Sequence, residues 1–133
     1  MNVRRDEAGF VGKMIVVWLL VVGVIAVAAI DAASIAFTTY KLSDVGSAAA
    51  TEGARVFRSD HDVRATCDRV ERVVAAQEPA ARVTHGGCSV ERPTGRVTVK
   101  IRKPASTLVA HRIPWTEDFA TVVVTESAGP PSL

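Results

Sequence analysis

From Met14 to Ile30 every residue is apolar or glycine, and Asp31 ends the run. At ~1.5 Å per residue, a helix of this length covers most of a ~30 Å hydrocarbon core. Phe10 and Val11 before the run, or Ile35 to Phe37 after it, complete the crossing. The pattern then changes without a break. Ile35, Leu42, Ala49 and Val56 recur every seven residues, with Val45 on the same stripe, and no Pro intervenes. This predicts a helix that leaves the membrane and continues as a stalk with one narrow apolar face.

A break is expected at Ser59, where Ser59-Asp60-His61-Asp62 offers an N-cap and a carboxylate three residues on. Val63, Cys67, Val70 and Val74 then follow at helical spacing, with charged residues interleaved, and Pro79 ends this second helix. Beyond Pro79 the period becomes two. Arg82 to Glu91 reads as a strand with a Gly86-Gly87 break, and Pro93-Thr94-Gly95 as a turn. Val97, Val99 and Ile101 alternate with Thr98, Lys100 and Arg102, the pattern of a half-buried strand closed by Pro104. Thr107 to Ile113 is a weaker stretch, and a last strand is expected from about Phe119 to Thr125.

The result is an α+β chain: a long N-terminal transmembrane helix running into a stalk, a second helix and a small antiparallel sheet. Its expected divisions are 1–13, a cytoplasmic N-terminus; 14–30, the transmembrane helix; 31–58, the helical stalk; 59–128, an extracytoplasmic α+β head; and 129–133, a flexible tail.

Small residues make the stalk thin. Gly46, Ala49 and Gly53, with their Ala and Ser neighbours, would let another helix approach closely. The partner would be either an equivalent helix of another subunit or the chain's own head. Gly disfavours a solitary helix, so packing of some kind is expected here. If the partner is another subunit, Gly53→Leu should disrupt assembly and leave the head folded.

Composition refines this outline. The 133 residues leave room for one small domain outside the membrane, and the few aromatics imply a thin core. Cys67 and Cys88, both on the apolar phase of their elements, are placed to staple it; free thiols are the alternative. A bridge fits an oxidising compartment. Arg4, Arg5 and Lys13 precede the apolar run, whereas Lys41 alone is basic in the twenty residues after it. The positive-inside bias then places the N-terminus in the cytoplasm and the head outside the cell membrane. A cleavable secretory signal, cut near Ala32 or Ala33, competes with the anchor, although the run exceeds the usual ~7–15-residue signal core.

The net charge of +2 is spread among both signs, which argues against a nucleic-acid partner. His61, His85 and His111 lack metal-ligand spacing, and no cofactor motif is present. Ser59-Asp60-His61 has the letters of a catalytic triad, but capping explains them, and no enzyme activity is expected. Trp115 and Phe119 read as core or rim aromatics. Asp31 has two readings, a functional carboxylate within the membrane or a boundary residue at headgroup level.

The N-terminal half resembles the TadE-like family of pseudopilin and pilus-assembly proteins. The residues that carry the resemblance are Asp31, Phe37, Leu42, Ala48-Ala49-Ala50 and Gly53-Ala54, with the strands around Val97-Thr98-Val99 and Thr121 to Thr125. It implies a pilin-like fold and a structural or assembly role in a pilus or Tad-type secretion apparatus, with pilin-like or secretion-apparatus subunits as partners through the stalk. It also implies a processing junction at Gly9-Phe10. Met14 stands where such precursors carry Glu, so processing is expected to be inefficient or absent, as in a minor subunit or an unprocessed accessory protein. The alternative is a membrane-anchored extracytoplasmic binding domain acting independently.

Overall fold

The computed structural model describes residues 3–130. One helix, α1, runs unbroken from Val3 to Asp60. Its N-terminal part is long and apolar enough to cross a membrane, and this part is almost wholly exposed. The Gly9-Phe10 junction falls inside the helix. The expected break at Ser59 comes slightly later. Ser59 is still helical, with its hydroxyl donating to the Val56 carbonyl. The link is His61, at φ 53°, whose ring lies against Phe57 with centroids 5.8 Å apart.

The second helix, α2, spans Val63–Gln77, and its N-cap is Asp62 rather than Ser59. Asp62 has the extended backbone that a cap needs, and its carboxylate accepts from the Arg64 N–H at 2.8 Å and the Ala65 N–H at 3.4 Å. Glu78, just before Pro79, closes the helix.

Three strands follow, β1 (Arg82–Glu91), β2 (Arg96–Pro104) and β3 (Thr121–Ala128), paired antiparallel in the order β1-β2-β3. The β1–β2 register shifts between Val83 and Cys88. Gly86 has φ +67°, and a Cβ on Gly87 would lie 2.6 Å from the Lys100 carbonyl oxygen, so this bulge needs both glycines. The last strand starts at Thr121, later than Phe119. Residues 105–120 hold no strand at all, but two 3-10 turns, Ala110–Arg112 and Glu117–Ala120. Three consecutive donors of this segment are claimed by Asp31, which leaves them none to offer a sheet. In the expected flexible tail, Gly129 and Pro130 are described, and the Pro130 carbonyl accepts from the Arg96 guanidinium at 2.9 Å. Residues 131–133 lie outside the described residues.

Val97, Val99 and Ile101 on β2 are fully buried, and on the alternate phase Thr98 is half-buried and Lys100 and Arg102 are exposed. Their apolar face packs on both helices. From α1 come Leu42, Val45, Ala49, Ala50 and Ala54; from α2, Val70 and Val74; from β3, Val122. Stalk and head therefore share one core, and the division at residue 58 is not a domain boundary. Cys67 on α2 is bonded to Cys88 on β1, tying helix to sheet beside this core.

Candidate functional site

A polar convergence lies where α1 leaves its apolar run. Asp31 is 8% exposed. Its carboxylate accepts from three successive backbone N–H groups, Leu108 at 2.6 Å, Val109 at 3.1 Å and Ala110 at 3.2 Å. One turn further along, the Ser34 hydroxyl donates to the Ser106 carbonyl. Asp31 thus caps the first 3-10 turn of the 105–120 loop from a different element, and a charged acceptor makes these bonds stronger than neutral ones. Neither earlier reading of Asp31 described this: it is a tether that holds the loop against the root of the stalk.

The loop is folded on itself. Arg112 N–H donates to Val109 O, Thr116 N–H to Ile113 O and Phe119 N–H to Thr116 O. The Thr116 hydroxyl reaches both Ala110 O (2.6 Å) and Ile113 O (3.1 Å). Outward it shows apolar side chains, with Trp115 79% and Phe119 73% exposed. These aromatics belong to a rim, not to the core. Between loop and helix lies a groove of about 770 Å³ whose walls are almost wholly apolar.

Two carboxylates join elements elsewhere. Glu78 is nearly buried and meets Lys41 of α1 at 2.7 Å and Lys103 of β2 at 3.0 Å. The Lys41 contact first, then Lys103, lowers its pKa, with burial opposing. Glu52 of α1 is bound by Arg55 (2.6 Å) and by Arg69 of α2 (3.1 Å). The Arg55 hydrogen bond is the main cause lowering its pKa from 4.5 to about 2; burial opposes this, and Arg69 adds to it.

The small residues of the stalk face inward. A Cβ on Gly46 would lie 2.9 Å from Glu126 Cγ and 3.1 Å from Ile101 Cδ1. One on Gly53 would lie 2.7 Å from Val70 and 3.2 Å from Val97, and Ala49 has no exposure. Gly46, Ala49 and Gly53 are helix-packing residues, but what they pack on is their own head. The opposite face of α1 is open: Ile30, Ala33, Phe37 and Tyr40, at spacings of four and three, are all exposed.

Among the described residues no three His, Cys, Asp or Glu side chains gather as metal ligands. His61 lies against Phe57 with the two rings tilted, and His85 lies on β1. Sequence reasoning found Asp31 but not its partners, because a carboxylate that caps a loop 77 residues away leaves no local pattern. Glu78 was hidden in the same way, its lysines being 37 residues before and 25 after it. Comparison of the chain with family models, curated proteins and solved structures finds no match.

Proposed function

We propose that the protein is a single-pass, N-in membrane subunit of a pilus or Tad-type secretion apparatus, similar to the TadE-like pseudopilins, with a structural or assembly role. One observation carries this reading. The head packs along one side of α1, leaving Ile30, Ala33, Phe37 and Tyr40 as an unpartnered seam that continues out of the apolar run. A rod with one face filled by its own head and the other free to meet a helix is a building element. Retention of the anchor is favoured by Asp31: a cut near Ala32 or Ala33 would remove the residue that holds the 105–120 loop.

The inward placement of Gly46 and Gly53 favours the second reading, an anchored binding domain acting alone, because it removes the thin seam from the list of partner surfaces. A photo-crosslinking residue at Phe37 or Tyr40, activated in intact membranes, separates the two. Crosslinks to pilin-like or secretion-apparatus subunits, identified by mass spectrometry, are the expected result. Folded, membrane-inserted protein that yields no crosslink from either position would favour the solitary domain.

A further inference from the structure

Part of the backbone of the 105–120 loop is satisfied from within the chain. Asp31 takes the N–H groups of Leu108, Val109 and Ala110; internal carbonyls take those of Arg112, Thr116 and Phe119; Pro114 has none to offer. Lipid-exposed irregular backbone is kept out of the hydrocarbon interior, so a loop of this kind reaches no deeper than the boundary with the headgroups. Its outward side chains match that environment too. Trp115 and Phe119 are the most exposed large apolar residues of the head, and Leu108 on the same loop is 55% exposed.

The position of the loop identifies the apolar phase. It is tethered at Asp31, the first charged residue after the apolar run. The groove beneath it is walled on the other side by Leu20, Val24 and Val27 of that run. Leu20 lies eleven residues before Asp31, or ~16 Å along the helix axis, so the groove opens toward the middle of the segment that would span the bilayer. A space between such a helix and a loop hung from its end is continuous with the acyl chains of one leaflet. A Trp at that level would lie in the interfacial zone, where its amphipathic ring is most at ease, with Phe119 adding apolar surface beside it.

We propose that the 105–120 loop is a second membrane contact of this chain: Trp115, Phe119 and Leu108 enter the boundary between headgroups and acyl chains in the leaflet on the head's side, and lipid chains fill the groove between the loop and α1. The contact would fix the tilt and rotation of the head relative to the bilayer, which a single helix leaves free. The proposal rests on α1 spanning the membrane, but not on the assembly role.

The chain has two tryptophans, so both claims can be read from one preparation. Full-length protein is reconstituted in vesicles of phosphatidylcholine and phosphatidylglycerol carrying bromine either near the headgroup end of the acyl chains or at their ends. Trp18→Phe leaves Trp115 as the reporter, and Trp115→Phe leaves Trp18. Trp115 is expected to emit to the blue of a solvent-exposed indole and to be quenched most by bromine near the headgroups, whereas Trp18 is quenched most by bromine at the chain ends. Trp115 quenched by aqueous iodide and untouched by bromolipid, with Trp18 quenched as expected, would overturn the loop contact and leave the anchor standing. Blue emission from Trp115 without bromolipid quenching would also overturn it, in favour of a protein partner over the loop. Failure of both reporters to be quenched would overturn the membrane span itself and the loop contact with it.

Discussion

At the scale of single residues, two positions carry more than their size. Asp31 supplies one carboxylate to three amides in a nearly buried setting. Asp31→Ala leaves those part-buried donors without their charged acceptor, a loss of about 1–3 kcal/mol. Amide exchange at Leu108, Val109 and Ala110 should therefore accelerate roughly tenfold or more, with Val97 to Ile101 unaffected. Asp31→Asn, which keeps one carbonyl acceptor, should fall between. Unchanged exchange at the three amides in Asp31→Ala would show that the tether is not what holds the loop. Gly53 is the second such position. Leu there would gain about 1 kcal/mol of helix propensity, but its Cβ alone falls 2.7 Å from Val70 and 3.2 Å from Val97. Overpacking a filled core costs about 1–3 kcal/mol, and Leu exceeds what this gap could absorb by relaxation. Gly53→Leu should lower the melting temperature of the head, contrary to the expectation for a seam between subunits. A head that melts as before would place Gly53 at a looser contact than the structure gives it.

At the scale of elements, the periodicity of the chain was a good guide wherever one face of an element meets the core. The β2 alternation of Val97, Val99 and Ile101 is visible in sequence because its two faces differ in solvent, and the α1 stripe through Leu42, Val45 and Ala49 for the same reason. The 105–120 segment was not legible. Its conformation is set by Asp31 and by side chain to backbone bonds, neither of which imposes a period. The ion pairs that bind element to element were equally hidden. Glu78 joins the end of α2 to α1 through Lys41 and to β2 through Lys103, and its pKa is lowered mainly by these two contacts. A carboxyl whose folded pKa lies below its unfolded one stabilises the fold above the unfolded value and loses that contribution as pH falls through the folded one. Glu52, held near 2 mainly by Arg55 with Arg69 adding to it, acts in the same direction. The head should thus lose stability progressively as pH drops below about 4.5. Glu78→Gln should lower stability at neutral pH and flatten the acid limb of a plot of melting temperature against pH. An acid limb as steep as that of the unaltered protein would mean that other carboxylates govern it.

At the scale of the whole molecule, the question is where the folding unit begins. The sequence invites a division into stalk and head, because the helix pattern ends near Asp60 and the strands lie beyond it. The core does not respect that division. Leu42, Ala49 and Ala50 of α1 are as buried as Val70, Val74 and Ile101 of the head, and all of them belong to one cluster. Without α1, the apolar face of β2 and one side of α2 would meet water, and at about 25 cal/mol per Å² of exposed apolar surface no remaining contact offsets that loss. The Cys67–Cys88 bond cannot substitute for the helix. It joins α2 to β1 and stabilises mainly by restricting the unfolded chain, by about 3 kcal/mol for a loop of this size, without covering any apolar face. A fragment of residues 31–133 should melt cooperatively, since it keeps Asp31 and every α1 residue of the core. A fragment of residues 59–133 should instead bind an apolar dye, lose its near-ultraviolet circular dichroism and melt without a sharp transition, even with its disulfide formed. A cooperative transition in the shorter fragment would make the head an independent domain. It would also return the buried face of α1, with Gly46, Ala49 and Gly53, to the surfaces through which another subunit could bind.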